Sequence, residues 1–438
     1  MDESKKMGLW AGTSLVMGNM IGGGIFLLPA ALSFYGGISL LGWLFTTIGS
    51  ICLALVFSRL SKNISHKNGG PYAFTQVAFG DFLGFLIAWG YWISIWTANA
   101  AITVTFVGAL SVFFPELAAN RYLAVLTGLA AIWFLTWVNT RGIRETAFVQ
   151  ILTTLLKIIP LLVVIIGGFF FFRLENFLPF NQSGTSTWVA ISATATLTLY
   201  AFLGFESATI PAKSMKNPSK NIPKATVLGT LLTAVIYILC TVAVMGMIPP
   251  EALQNSPAPL ADAASIMGGE DMRYFIAGGI VIATFGALNG WIFILGQIPL
   301  AIAEDDLFPK IFKRLNSKQA PVGGLVIGSI LVSGLLLFNY ADSLVAQFKF
   351  MTLLTTLSVL TPYLFSTAAY FLLSLQKQKS DYSMINILIL SALAFVYCMW
   401  AVYGSGEEVV FWGFLLLLSG IPFYLWIKYS VKKDNNSN

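Results

Sequence analysis

The sequence predicts an all-α protein that crosses a membrane many times. Of its 438 residues, 57% are hydrophobic and only 10% are charged, whereas a soluble domain has about 25% charged residues. Apolar runs long enough to cross a bilayer core of about 30 Å follow one another along the chain. Two of these runs are interrupted by glycine and polar residues. These features predict a polytopic helical protein with two discontinuous helices.

Twelve apolar runs are long enough to span the bilayer. They lie at residues 9–32, 38–60, 82–114, 122–140, 147–172, 187–211, 225–248, 273–303, 322–339, 344–375, 384–403 and 409–430. The runs at 82–114, 273–303 and 344–375 exceed the minimum length, which predicts tilt or extension beyond the membrane. We expect one transmembrane domain over residues 1–430 and a cytoplasmic tail at 431–438. No cleavable signal peptide is expected at the N-terminus.

The basic residues predict the orientation. If the N-terminus is inside, 20 of the 25 Lys and Arg fall on the inner side. Because cytoplasmic loops are enriched in Lys and Arg, we assign both termini to the cytoplasm. The same short basic loops explain the net charge of +6 without a nucleic-acid partner. Cys52, Cys240 and Cys398 are dispersed in apolar runs, so neither a disulfide framework nor a metal site is expected, and no cofactor is predicted.

Two ionisable residues lie deep in the apolar runs, Lys157 and Glu206. An intramembrane charge costs a few kcal/mol or more and indicates a functional site. Lys157 lies some ten residues into its run, roughly 15 Å along a helix, so its ammonium group cannot readily reach an interface. Glu206 lies within the second interruption. The only histidine, His66, lies in an inner loop, and this scarcity of catalytic groups at depth argues against a membrane-embedded enzyme.

The two interruptions lie in the first and sixth runs. The first reads Gly18-Asn19-Met20-Ile21-Gly22-Gly23-Gly24 and the second covers residues 200–207. Because five crossings is an odd number, two five-span units must have opposite topologies. This predicts an inverted repeat of residues 9–172 and 187–375, with two further helices at 384–430. Both interruptions are then expected at the bilayer midplane, where such breaks form substrate sites.

The interrupted helices have complementary ends. The outer half of the first helix begins near Gly22, and its free N–H groups favour an anion such as a carboxylate. The outer half of the second ends near Tyr200, and carbonyls from about Tyr200 to Leu203 favour an ammonium group. The combination predicts a site for an α-amino acid. The alternative is that the glycines form a small-residue packing face between helices.

The chain resembles the amino acid–polyamine–organocation (APC) superfamily of transporters over essentially its whole length. It is most similar to the bacterial arginine/agmatine antiporter group. The resembling segments are residues 18–26, 69–73, 204–208, 216–218, 303–309 and 362–364. This resemblance implies a LeuT-type fold of two inverted five-helix repeats, alternating access and a bacterial inner-membrane location. The expected partners are a small amino acid or amine and the lipid bilayer, and a homodimer is compatible with this class.

The resemblance also implies roles for individual residues. The amides of Gly22–Gly24 would hold the carboxylate, and the carbonyls of Met20, Tyr200 and Leu203 would hold the amine. Further candidate contacts to the substrate are Asn19, Ile21, Ser94, Asn99, Trp291 and Thr355, and the aliphatic Ile95, Ile102 and Leu203 would fit a neutral substrate. Candidate gating or coupling residues are Tyr72, Tyr91, Lys157, Glu206, Trp291 and Tyr363.

Two departures bear on the substrate and the coupling ion. Tyr200 stands where the arginine/agmatine antiporter has a tryptophan, and tyrosine is the weaker cation–π partner. Lys157 resembles a lysine of bacterial relatives of the L-amino-acid transporters, where it takes the place of a sodium ion. We predict an exchanger of arginine/agmatine-like substrates. The alternatives are a proton-coupled symporter and an exchanger of neutral amino acids.

Overall fold

The chain folds into helices, most of which coincide with the predicted apolar runs. The computed structural model describes residues 8–64, 70–141, 157–206, 216–338, 343–376 and 382–436. All regular structure within these ranges is helical. The longer helices are α1 Leu9–Met20, α2 Gly24–Ser33, α3 Ser39–Asn63, α4 Pro71–Phe79, α5 Asp81–Leu110, α6 Arg121–Thr140, α7 Lys157–Gly168, α8 Thr187–Phe202, α9 Pro218–Met247, α10 Pro259–Glu304, α11 Val322–Phe338, α12 Leu344–Gln376, α13 Met384–Gly404, α14 Glu407–Leu418 and α15 Gly420–Asn436.

Each predicted apolar run contains at least one of these helices, and the expectation of an all-helical, multi-pass membrane protein is confirmed. In the described ranges, eight helical segments are long and apolar enough to cross a membrane. The bent pair α1 and α2 makes a ninth. Within the described residues the apolar helices α7, α8 and α11 have 10–17 residues, and α7 starts at the first residue described after position 141. The part of the fifth run before Lys157, the residues after Glu206 in the second interruption, and His66 lie outside the described residues.

Two boundaries differ from prediction. The helix of the eighth run, α10, begins at Pro259 rather than at residue 273 and is kinked at Gly268 and Gly269. The stretch before the kink, residues 259–267, is mostly apolar but short, and the polar stretch 268–273 separates it from the predicted run. The last run divides into α14 and α15, and α15 continues to Asn436. Most of the predicted tail at 431–438 is therefore helical, because a basic, polar sequence can extend a helix beyond the membrane.

The interrupted helices are enclosed by long neighbours. Helix α5 is almost completely buried and packs along α10 and α12. Helix α1 packs on α9, and α8 packs on α3. In an inverted repeat, the first run corresponds to the sixth and the second run to the seventh. The first and second runs contain α1/α2 and α3, and the sixth and seventh contain α8 and α9. The repeat would therefore map the packing of α1 on α9 onto the packing of α8 on α3. The packing of α6 (fourth run) on α10 (eighth run) would likewise map onto the packing of α11 (ninth run) on α5 (third run).

Candidate functional site

The first break lies between α1 and α2, which are bent by 45°. The Ile21 amide donates to the Met17 carbonyl at 2.8 Å, and the Gly22 amide turns to the Met20 carbonyl at 2.7 Å. The Gly18 carbonyl, which a continuing helix would pair with Gly22, therefore loses its helical partner. The amides of the first turn of α2 likewise have no acceptor within their own helix.

Two buried side chains donate to the carbonyls of this break. The Lys157 ammonium of α7 donates to the Gly18 carbonyl at 3.2 Å, and the Tyr237 hydroxyl of α9 donates to the Met20 carbonyl at 2.6 Å. Lys157 is only 1% exposed. The end of α1 is thus capped by side chains from two other helices, which compensates for the missing backbone hydrogen bonds.

The second break follows α8. The Leu203 amide donates to the Tyr200 carbonyl at 3.2 Å, and Gly204 then adopts a φ of 107°. A Cβ atom at Gly204 would lie 3.1 Å from the Asn19 carbonyl carbon. The two breaks are therefore in direct contact. Glycine at position 204 allows both the left-handed backbone and this close approach.

A small cavity of about 20 Å³ lies where the breaks meet, room for about one water molecule. Both breaks contribute backbone to its wall, α5 contributes aliphatic side chains, and α10 contributes an indole. Its lining residues are Asn19, Met20, Gly22, Gly23, Gly24, Ala98, Ile102, Tyr200, Ala201, Leu203 and Trp291. No charged side chain is among these lining residues, so the polarity of the site comes from backbone groups, the ends of helices and the polar side chains of Asn19 and Tyr200.

Two glycines of the first break, Gly23 and Gly24, have little free space. A Cβ atom at Gly23 would lie 2.9 Å from the Ile102 backbone, and one at Gly24 would lie 3.0 Å from the Tyr200 ring. Real Cβ atoms essentially never approach other atoms more closely than 3.0 Å. These positions therefore allow α5 and Tyr200 to approach the start of α2.

Several predicted contact residues lie behind the cavity wall rather than in it: Ile21, Ser94, Ile95, Asn99 and Thr355. Their polar groups are mostly engaged by neighbours. The Ser94 hydroxyl donates to the Tyr91 carbonyl at 2.7 Å, and the Thr355 hydroxyl donates to the Thr97 hydroxyl at 2.8 Å. Asn99 is fully buried and its side-chain oxygen has no partner among the described residues.

Glu206 lies at the centre of a buried hydrogen-bond cluster beside the second break. The hydroxyl of Tyr91 donates to Oε1 at 3.0 Å, and the hydroxyl of Tyr363 donates to Oε2 at 3.1 Å. The Gly204 amide also donates to Oε2, at 3.2 Å. The carboxylate thus joins α5, α12 and the second break. Trp291 lies on the wall of the central cavity, where the indole is half-buried.

Tyr72 belongs to a separate contact on the predicted inner side. Its hydroxyl donates to Asp305 at the end of α10, so the short helix α4 is tied to α10. Burial, reinforced by this hydrogen bond and by the nearby carboxylate charge, raises the pKa of Tyr72 well above its usual value. The phenol therefore stays protonated at physiological pH.

Three residues of the site were not among the predicted contacts. Ala98 and Ala201 line the cavity, but alanine is too common in apolar helices to be identified from sequence. Tyr237 lies in an apolar stretch of α9, and a buried tyrosine hydroxyl usually has a hydrogen-bond partner. That expectation could have indicated a polar contact but not its location. Among the described residues, no group of three or more His, Cys, Asp or Glu side chains could hold a metal.

Comparison with known proteins gives consistent matches over nearly the whole chain. The amino acid permease family model matches residues 7–422. The putrescine transporter of Haemophilus influenzae is 33% identical over 428 residues, 98% of each chain. The arginine/ornithine antiporter of Pseudomonas aeruginosa is 31% identical, covering 98% of this chain and 92% of its own. The arginine/agmatine antiporter of Chlamydia pneumoniae is 32% identical, covering 97% of this chain and 90% of its own.

Proposed function

The chain belongs to the amino acid permease family, a family of transporters rather than enzymes, and we propose that it exchanges a basic amino acid for its decarboxylated amine. Exchange is the activity named for the arginine/ornithine and arginine/agmatine relatives. The resemblance inferred from the motifs is confirmed by these matches. The substrate assignment is our proposal.

The observation that carries the proposal is the contact between the two breaks at one cavity. The start of α2 contributes free N–H groups, and the end of α8 contributes free carbonyls, with Gly204 against Asn19 between them. An α-carboxylate and an α-ammonium group would therefore find complementary helix ends a short distance apart. Ligands that lack the carboxylate would keep the contacts of the ammonium group.

The carbonyls differ in their capacity to bind an ammonium group. A carbonyl oxygen has two lone pairs, and that of Met20 already accepts from Gly22 and Tyr237. The Tyr200 carbonyl accepts one hydrogen bond, from Leu203. We therefore assign the main ammonium contacts to the carbonyls of Tyr200 and Leu203, with Met20 as part of the wall.

The side chain of the substrate would lie against Tyr200, Trp291 and the aliphatic wall of α5. Aromatic faces attract guanidinium and ammonium groups, which favours a cationic substrate. The alternative is a neutral amino acid, and the absence of an acidic side chain among the cavity-lining residues favours it. Both alternatives share the same backbone contacts.

Lys157 bears on coupling. When protonated, its amino group places a positive charge beside the Gly18 carbonyl, where a sodium ion would be repelled. We therefore propose exchange without sodium. A proton-coupled symporter is the second candidate, because Lys157 and Glu206 are both buried groups that can change protonation state.

We further propose the architecture in which this exchange takes place. Twelve spans would form a LeuT-type pair of inverted repeats, residues 9–172 and 187–375, with two added helices at 384–430. The interchanged packing pairs described above support this arrangement. Both termini would lie in the cytoplasm of a bacterial inner membrane, with a homodimer as a compatible assembly. Because the central cavity is only about 20 Å³, substrate entry requires the walls to separate, as alternating access provides.

Proteoliposomes test the proposal. Labelled arginine should enter vesicles preloaded with agmatine or arginine and should not enter empty vesicles. Uptake into empty vesicles driven by a pH gradient alone would instead establish symport. Competition by the twenty amino acids, agmatine, putrescine and cadaverine ranks the substrates, and stronger competition by neutral amino acids would favour the neutral alternative. Tyr200→Trp should raise the preference for arginine over neutral amino acids by about two- to tenfold through a stronger cation–π contact.

A further inference from the structure

A second cavity, of about 680 Å³, lies between α8, α12, α13 and the start of α14, on the proposed outer face of the membrane. Its wall is mainly apolar and includes Val189, Leu353 and Val410. Two charged side chains also line it, Lys349 of α12 and Glu407 of α14. This volume far exceeds that of the central cavity and would hold part of a larger amphipathic molecule.

The two charges of this outer cavity have no ionic partners among the described residues, and they do not pair with each other. The Lys349 ammonium lies 5.4 Å from the ring centroid of Phe34 and 5.7 Å from that of Tyr35. Glu407 is exposed in the first turn of its helix. A cation and an anion on different elements of one cavity are complementary to a zwitterion.

The surroundings of the outer cavity indicate a lipid. Trp188 is 72% exposed, Tyr403 is 68% exposed and Phe411 is 58% exposed. Tryptophan and tyrosine concentrate where a membrane protein meets the lipid headgroups. The cavity thus combines an apolar wall with charged groups at the level where a phospholipid changes from acyl chain to headgroup.

We propose that the outer cavity binds phosphatidylethanolamine, a phospholipid whose headgroup carries both a phosphate and a primary ammonium group. Lys349 contacts the phosphate, Glu407 contacts the ammonium, and an acyl chain lies against the apolar wall. The assignment to the outer leaflet rests on the proposed orientation. The choice of a lipid over a free amino acid rests on the apolar wall and the exposed aromatic side chains beside it.

A lipid at this position would act on the central site through two helices. Leu197 lines the outer cavity and precedes Tyr200 by one helical turn on α8. Phe348 is adjacent to Lys349 on α12, and its ring packs edge-on against Tyr200 with centroids 5.9 Å apart. Occupation of the outer cavity therefore supports the contact between α8 and α12 that covers the central cavity.

Native mass spectrometry of the full chain tests the binding. The protein is taken from nanodiscs that hold equal amounts of phosphatidylethanolamine, phosphatidylglycerol and phosphatidylcholine with identical acyl chains. We expect phosphatidylethanolamine to be retained at least tenfold over phosphatidylcholine, whose trimethylammonium group cannot donate a hydrogen bond. Lys349→Gln should lower retention about tenfold, the effect of losing one charged hydrogen bond. Glu407→Gln should remove the preference over phosphatidylglycerol.

Arg173→Gln is the matched control, because Arg173 is an exposed cation on the same proposed face that does not line the cavity. Its retention of lipid should equal that of the wild type, and thermal unfolding should show that all three variants are folded. Equal losses in the Lys349 and Arg173 variants would overturn the proposal. Equal retention of phosphatidylethanolamine and phosphatidylcholine would also overturn it, because the ammonium group would then donate no hydrogen bond in the cavity. The assay needs no transport, so its failure leaves the proposed exchange intact.

Discussion

Replacement of Lys157 by methionine tests the contact between α7 and the first break. Methionine keeps an unbranched chain of similar length but has no N–H group. In the wild type, the Lys157 ammonium donates a hydrogen bond to the Gly18 carbonyl at 3.2 Å. That carbonyl lost its helical partner when the Gly22 amide turned to Met20. The variant therefore leaves a buried carbonyl without a donor.

The size of the effect follows from this one contact. A hydrogen bond from a charged donor contributes about 1.5–3 kcal/mol, and 1.4 kcal/mol is about a factor of ten. The substrate-competent form of the break should therefore be about 10- to 100-fold less populated. Overall stability should not fall in parallel, because Lys157 has no ion-pair partner among the described residues and its removal relieves the cost of burying a charge.

The assay pairs exchange with stability. Arginine exchange in proteoliposomes should fall at least tenfold in Lys157→Met between about pH 5 and pH 8, while thermal unfolding occurs at the wild-type temperature or above. Lys157→Arg should not restore exchange, since the planar guanidinium is larger and differently shaped from an ammonium group. Wild-type exchange at every pH in Lys157→Met would refute the role of this contact. A lower unfolding temperature would show that the lysine is structural.

Three further predictions concern the breaks and the inner contact. Gly23→Ala should reduce exchange at least tenfold, because its Cβ would lie 2.9 Å from the backbone of α5. The control Gly334→Ala, whose Cβ meets nothing within 4 Å, should exchange at the wild-type rate. Equal exchange rates in the two variants would contradict the tight packing at Gly23. Glu206→Gln turns an amide N–H group towards a cluster of donors and should change the pH profile of exchange; an unchanged profile would leave Glu206 a purely structural acceptor. Tyr72→Phe should lower the free energy of unfolding by about 0.5–1.5 kcal/mol, the net contribution of one hydrogen bond to the exposed Asp305 carboxylate. The pKa of Tyr72 is raised in the folded state, so the hydrogen bond contributes fully to stability below the unfolded-state pKa of about 10. The variant should therefore lose the same stability at pH 7 and at pH 9. A smaller loss at pH 9 would contradict this reasoning.

The sequence predicted the helices and the two breaks because both depend on local composition. A charge within an apolar run is also visible in sequence, which is how Lys157 and Glu206 were found. Their partners were not visible, since the Gly18 carbonyl and the hydroxyls of Tyr91 and Tyr363 lie on other helices. Which residues of one helix face a cavity also depends on its rotation.

The rotation of α5 about its axis explains why some of its predicted contact residues do not line the cavity. Ala98 and Ile102 line the cavity, whereas Asn99 and Ser94 of the same helix do not. In an almost fully buried helix, polar and apolar residues do not separate onto two faces, so a hydropathy pattern cannot indicate how the helix is rotated. The extension of α10 back to Pro259 was missed for a different reason, because residues 259–267 are too few to span a membrane and the polar stretch 268–273 separates them from the apolar run.

Lys157 and Glu206 have corresponding positions at the two breaks, and their charges are opposite. At the first break, the free groups of the inner half-helix α1 are carbonyls, and the Lys157 cation donates to one of them. At the second break, the chain continues inward from Gly204, whose free group is an amide, and the Glu206 anion accepts from it. In both breaks a side chain thus satisfies the inner end, while the outer ends, the amides of α2 and the carbonyls of α8, face the cavity. A ligand is then required only at the outer ends, and it must be negative at one and positive at the other. Without either charge, the free groups of the inner half-helix would compete with the outer ends for the ligand, and we therefore propose that Lys157 and Glu206 direct where an amino acid binds without contacting it.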